Sequence, residues 1–377
     1  MSAPGQPASP AAPAPTGDAG TRSLLVAPQW IGDAVMAQPL VGLLHARGEQ
    51  LTALALPGAA DVLRAMPGVA QVVQTGFAHG RLDLRARLRL AAELRDQGFA
   101  RAYVLGNNVK ARLVPWLAGI PVRIGWRGEA AGALLTHALA AADAGGTRPD
   151  MREHYARLAG AVPARSPGAA ALPGCADACW RAAPEPVLAV PARLSSRAAA
   201  DFGLEQAFIA LCPGAEFGPA KQWPAQHYAA LARMALDTGL RVAVLGTARD
   251  HAFAQAIVRG AGATGQAPVL DLCGRTSMAQ ALALLGAAAG VVSNDSGLMH
   301  VAAALGRPTV GIYGSTDPRH TPPAARHSAA LWLRLPCSPC FARQCPLGHG
   351  NCLRALDPEW AWSVLRGLML AWHGMAP

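Results

Sequence analysis

The stretch Val291–Leu305, VVSNDSGLMHVAAAL, is the part of the chain whose reading decides the fold. An apolar run from Ala287 to Val292 has strand length and ends in the polar cluster Ser293-Asn294-Asp295-Ser296-Gly297. Leu298, Val301, Ala302 and Leu305 then recur at helical spacing. Strand, tight turn and helix in that order make the repeating unit of an open α/β sheet, whose ligands sit at the carboxyl ends of the strands. The amides of Ser296, Gly297 and Leu298 open the expected helix. A helix N-terminus offers unpaired N–H donors and partial positive charge, which suits a phosphate group. The same residues also suit a plain capped helix, with Asp295 or Ser296 satisfying its own amides.

Working outward, the same alternation fills the chain. Apolar strands are expected at Ser23–Ala27, Leu51–Leu56, Val69–Val73 and Arg101–Leu105, with a further strand inside Gly119–Glu129. Helical patterns lie between them at Ala34–Leu44, Asp61–Met66, Leu82–Gln97 (Arg-rich and amphipathic) and Asn107–Ala118, and a last one covers Met151–Ala161. Residues 162–191 carry Pro and Gly without periodicity and mark a boundary. Beyond it, strands at Phe208–Cys212, Arg241–Gly246, Val269–Leu272 and Thr309–Tyr313 flank the opening stretch, and Pro358–Trp372 reads as a final amphipathic helix. The expected division is a disordered tail over 1–20, a Rossmann-like domain over 21–165, a linker over 166–191, a second Rossmann-like domain over 192–356 and a C-terminal helix over 357–377.

Length and composition agree. The 377 residues suffice for two domains with cores of their own, and no apolar stretch reaches the roughly 18–20 residues that span a bilayer. The first twenty residues hold neither a basic n-region nor an apolar core, so they are not read as a signal peptide. A cytoplasmic protein with its eight cysteines mostly reduced is expected. The net charge of +10 comes almost wholly from arginine, because Lys110 and Lys221 are the only lysines. Such a charge favours nucleic acid, anionic membrane or phosphorylated substrates, unless it reflects compositional bias alone.

Three loops at strand ends hold the polar candidates. Asp33 follows the first strand, where no G-x-G-x-x-G occurs, which counts against a nicotinamide or flavin enzyme. An acidic residue there suits a general base or a helix cap. Lys221 lies in the Gly- and Pro-rich loop Pro213–Pro224, where a compact cation suits an anionic partner. Asp295 beside a phosphate would be repelled, so it is assigned to sugar hydroxyls, with the turn amides left for the phosphate. A base facing a cationic clamp across two Rossmann-like domains suits glycosyl transfer from a nucleotide sugar. The departing diphosphate needs charge stabilisation but no protonation, so one carboxylate suffices where glycosidases use two. The sequence contains no D-x-D triplet, so no metal-bridged diphosphate is expected.

Four segments carry a family resemblance: PQWIGDAVMAQPL (Pro28–Leu40), GIPVRIGWRGE (Gly119–Glu129), CPGAEFGPAKQWP (Cys212–Pro224) and SNDSGLMHVAAALGRP (Ser293–Pro308). With them the sequence resembles the ADP-heptose:lipopolysaccharide heptosyltransferases of glycosyltransferase family 9, and the GAEFGPAK run favours the type II branch. The resemblance implies a GT-B fold, two Rossmann-like domains facing across a cleft. It also implies inverting transfer of L-glycero-D-manno-heptose from ADP-heptose to the first heptose of the lipopolysaccharide inner core. Heptosyltransferase I, acting on Kdo, and a GT-B epimerase or non-catalytic nucleotide-sugar binder are the alternatives. By the same resemblance Asp33 is the base, and Gly214, Glu216, Lys221, Asp250, Asp295, Ser296, Gly297 and His300 form the donor set. For His300 a satisfied core histidine is the competing reading. Lys110, Arg123 and Arg127 are the acceptor candidates. The implied partners are ADP-heptose and a phosphorylated lipid A–Kdo–heptose acceptor at the inner membrane, which would make the enzyme peripheral to its cytoplasmic face. Nucleic acid is not an expected partner and no cofactor is required. Cys337, Cys340, Cys345 and Cys352 supply enough thiolates for a structural zinc, against reduced thiols or a labile disulfide.

Overall fold

Two parallel sheets of six strands each organise the chain, in a computed structural model that describes residues 20–77, 82–140, 148–161, 183–262 and 269–373. The tail read for 1–20, apart from Gly20, and most of the linker read for 166–191, with Cys175 and Cys179, lie outside the described residues.

The first sheet contains β1 (Arg22–Val26), β2 (Gln50–Ala55), β3 (Val69–Gln74), β4 (Arg101–Val104), β5 (Val122–Trp126) and β6 (His137–Leu139), in the order β3-β2-β1-β4-β5-β6. The second contains β7 (Phe208–Cys212), β8 (Arg241–Val244), β9 (Leu270–Asp271), β10 (Gly290–Asn294), β11 (Thr309–Tyr313) and β12 (Ser328–Trp332), in the order β12-β11-β10-β7-β8-β9. Both orders follow the doubly wound nucleotide-binding pattern. Each therefore has a crevice where the order reverses, beside β1 and β4 in one half and β7 and β10 in the other. Strands β4, β7, β10 and β11 are buried along their whole length, as parallel strands covered on both faces must be.

The structure corrects several boundaries. Helix Ala34–Leu44 is two helices, Ile31–Met36 and Gln38–Ala46, divided where Pro39 removes an amide. Asp33 thus lies inside a helix, in its first turn. The apolar run before Val291 is not all strand, because helix Met278–Ala287 takes its beginning. Strands β6 and β12 and helix Ala192–Asp201 were not expected.

The halves meet through helices and backbone. Helix Ile31–Met36 packs on helix Gly297–Ala304, and Pro57–Arg64 on Met278–Ala287. Residues 183–191 run extended between them, with Leu188 N–H donating to Ala304 O (2.8 Å) and Ala189 N–H to Ala65 O (2.8 Å). The final helix, Pro358–His373, packs on the second domain against β10, β11 and β12, with Leu365 and Met369 over Gly290.

Candidate active site

The two crevices open towards each other, and glycine lets them touch. A Cβ on Gly297 would stand 2.8 Å from Ile31 Cβ, and one on Gly32 would stand 3.0 Å from the His300 ring. The start of helix Ile31–Met36 therefore abuts the start of helix Gly297–Ala304. Ser296 is the N-cap residue of the latter but makes no side-chain cap; its hydroxyl lies 3.0 Å from that of Ser293. Of the two readings of this turn, the self-capped helix is the one the geometry disfavours. Gly297→Ala is expected to push Ile31 away, costing about 1–3 kcal/mol by overpacking, and to weaken ADP binding. Calorimetric titration with ADP and a melting curve measure both.

Asn294 fixes the turn from behind. It is fully buried, accepts from Trp223 N–H (3.0 Å) and Tyr228 OH (3.0 Å), and donates to Pro213 O (2.6 Å). One amide side chain thus ties the end of β10 to both ends of the Lys221 loop.

Asp295 and Lys221 are partners. Lys221 Nζ donates to Asp295 Oδ2 at 2.7 Å and to its carbonyl at 3.3 Å, and Thr316 Oγ1 donates to the same Oδ2 at 2.6 Å. Thr321 Oγ1 is 3.4 Å and His300 Nε2 3.7 Å from Oδ1. Burial raises the Asp295 carboxyl, but His300 and Lys221 outweigh it and hold the group well below the usual range. With its oxygens surrounded by protein donors, Asp295 is an anionic hub that positions Lys221. The Lys221 charge, expected to meet the diphosphate or adjacent sugar oxygens, is shared with the hub.

Asp33 faces this hub. Burial pushes its carboxyl above the ordinary value, His300, His320 and Lys221 pull it back, and Asp295 adds to the rise. A carboxyl so placed holds a proton more tightly than a surface Asp, as suits a general base. His300 is itself 5 % exposed, and its Nδ1 is buried without a partner among the described residues.

A cavity of about 490 Å³ runs from the glycine contact over the ends of β7, β8 and β9, lined by Gly214, Glu216, Asp250, Ser277, Ser296 and Gly297 among others. Asp250 has a local task in its wall: Oδ2 accepts from Thr247 N–H and Oγ1, both at 2.8 Å, in a capping box. Glu216 sits on the rim and pairs with Arg249 at 3.1 Å.

The N-terminal crevice holds a second cavity of about 630 Å³, lined by Gln29, Thr75, Leu82, Arg87, Lys110 and Glu129 among others. Lys110, an acceptor candidate, lines this cavity. Arg127 is exposed just past β5, at the same edge of the sheet. Arg123 corrects the sequence reading. It lies near the start of β5, away from the cleft edge, and its guanidinium donates to Leu134 O (2.8 Å) and Ile120 O (2.5 Å). Two arginines not singled out shape this cavity. Arg87 donates to Leu82 O (2.6 Å) and Lys110 O (2.8 Å). Fully buried Arg112 ties Asn107 Oδ1 (2.6 Å) to Trp126 O (2.8 Å) and the Glu129 carbonyl.

The cysteine-rich segment backs the Lys221 loop. Ala220 N–H donates to Arg343 O (3.1 Å), and a Cβ on Gly218 would fall 2.5 Å from that oxygen, so only glycine fits. Cys337, Cys340, Cys345 and Cys352 are free and border one cavity with His349. Among the described residues no three His, Cys, Asp or Glu groups are arranged to hold a metal ion.

Two doubly wound domains, with a carboxylate on one facing a helix N-terminus and cations on the other, define a GT-B glycosyltransferase. Residues 87–350 match the family described as glycosyltransferase family 9 (heptosyltransferase), and the chain belongs to that family. It is 39% identical over 318 residues to lipopolysaccharide heptosyltransferase 2 of Salmonella typhimurium, covering 82% of this chain and 87% of the relative. The solved structure of E. coli ADP-heptose lps heptosyltransferase II superposes with a TM-score of 0.78 at 34% identity, covering 93% of this chain and 99% of that one. Lipopolysaccharide heptosyltransferase 1 of Pseudomonas aeruginosa matches over 155 residues, 38% of this chain and 42% of the relative, at 32% identity.

Proposed function

We propose that the chain transfers L-glycero-D-manno-heptose from ADP-heptose to the first heptose of the lipopolysaccharide inner core, with inversion. The observation that carries this reading is the meeting of Asp33 with the uncapped helix start at Gly297 and the Lys221–Asp295–His300 group. In this reading the cavity over β7–β9 takes the ADP moiety, and its diphosphate lies on the amides that open helix Gly297–Ala304. Asp33 removes the proton of the acceptor hydroxyl as that oxygen attacks the anomeric carbon opposite the diphosphate. The bond to the diphosphate breaks and ADP leaves with the electron pair. Helix amides and Lys221 meet the growing negative charge without reorganising.

The type II acceptor rests on the relatives, since those of Salmonella typhimurium and E. coli named heptosyltransferase 2 align over 82% of this chain and the Pseudomonas aeruginosa heptosyltransferase 1 over 38% of it. Purified protein given ADP-heptose is expected to turn over on an acceptor ending in the first heptose. Turnover only on a Kdo-terminated acceptor would assign it to type I, and isomerisation of the free nucleotide sugar without acceptor would make it an epimerase. Because the leaving charge is met by protein groups, exhaustive EDTA treatment is expected to leave most of the activity. Loss of activity restored by a divalent ion would contradict the mechanism.

The acceptor places the enzyme at the cytoplasmic face of the inner membrane. No helix among the described residues is long and apolar enough to cross a membrane, so attachment in this reading is peripheral.

A further inference from the structure

Helix Leu84–Arg95 carries an exposed face that the proposed chemistry does not use. Its inner side is Arg87, Ala91 and Leu94, all buried. On the outside Leu84 and Leu88 are each 47% exposed, and Leu82, just before the helix, is 46% exposed. Arg85 and Arg89 are exposed as well. At about 100° per residue, the two leucines lie about 40° apart, and the two arginines stand beside them on one arc of about 140°. The arc is amphipathic in an unusual sense, with leucine and arginine side by side and both facing out.

This face is continuous with the N-terminal cavity. Leu82 is at once exposed and part of the cavity lining, and Arg87, from the same helix, holds the Leu82 and Lys110 carbonyls that shape its wall. Gln29 lines the same cavity, and its neighbour Trp30 is 55% exposed. Exposed leucine side chains running to a cavity edge, with arginines among them, match the chemistry of a lipid headgroup layer. The apolar groups enter the acyl boundary and the guanidinium groups remain with anionic phosphates.

We propose that the outer face of helix Leu84–Arg95, with Leu82, docks on an anionic lipid bilayer and so sets the mouth of the N-terminal cavity against the membrane. This rests on the reading that the acceptor is a membrane-borne glycolipid. A sugar acceptor anchored in the leaflet then reaches the Asp33 crevice without leaving the bilayer.

The test is flotation of the full chain with vesicles of phosphatidylethanolamine and phosphatidylglycerol, and with phosphatidylcholine vesicles as the neutral comparison. The wild type is expected to float with the anionic vesicles, less so as salt rises. Leu84→Glu/Leu88→Glu is expected to weaken this binding at least about tenfold, since two leucines no longer enter the interface and like charge is added. Arg85→Ser/Arg89→Ser is expected to lower both binding and its salt dependence. Both variants are expected to transfer to a delipidated, water-soluble acceptor at the wild-type rate, which also shows that they fold. Wild-type protein that ignores anionic vesicles, or leucine variants that float as well as wild type, would overturn the proposal. So would sedimentation showing that the leucine pair instead holds two copies together. Failure of the wild type on the soluble acceptor would sink the proposed function and leave vesicle binding to stand or fall by itself.

Discussion

Asp33→Asn is expected to lower kcat by about 10²–10⁴ while leaving ADP affinity nearly unchanged, the loss typical of removing a positioned general base. The amide keeps the shape of the carboxylate and cannot take the acceptor proton. Stability separates this loss from unfolding. Burial raises the folded pKa of Asp33 above its unfolded value, so its stabilising contribution is present at pH below the unfolded pKa and is lost as pH rises through the folded one. On the alkaline side of that titration the ionised group works against folding, and there the Asn variant is expected to melt no lower than wild type. The same shift predicts that kcat/KM of the wild type falls on the acid side at a pH above the ordinary Asp range, and that Asp33→Asn abolishes this limb. Near-normal turnover by the variant would remove Asp33 from the role of base.

Lys221→Ala is expected to slow transfer by at least about 10²-fold, the scale of losing one preorganised charge partner, and to weaken ADP binding with it. It should also destabilise the fold, because Asp295, 4% exposed, keeps its charge but loses a 2.7 Å partner. Breaking a fully buried pair costs about 3–5 kcal/mol; with Lys221 partly exposed and Thr316 still donating, about 2–3 kcal/mol is expected here. The double variant Lys221→Ala/Asp295→Asn is expected to regain much of the stability and none of the activity. Chemical denaturation and initial rates on the three proteins check this. Full recovery of activity in the double variant would mean that the pair is structural only.

Much of the fold could be read from apolar runs broken by Gly and small polar residues, because both sheets are parallel and buried and their strands are plain apolar segments. Strands β6 and β12 escaped: the first is three residues long, and the second mixes buried and exposed positions. The site was legible where chemistry is local, as at Asp33, Lys221 and the turn before Gly297. It was not legible where a side chain chooses a partner far along the chain. Asp295 is met by Lys221 and Thr316, and His320 lies within hydrogen-bond distance of the Pro149 carbonyl. No periodicity encodes such distances. Arg123 is a different failure. The strand direction alone puts it at the end of β5 opposite the ligand edge, whatever motif surrounds it.

The glycine-to-glycine contact has a thermodynamic consequence. The start of helix Ile31–Met36 lies against the start of helix Gly297–Ala304 there, so a diphosphate on the Gly297 amide sits at the contact between the domains. Donor binding and interdomain packing are then reciprocally linked. Whatever factor domain separation takes from nucleotide affinity, bound nucleotide must return as resistance to that separation.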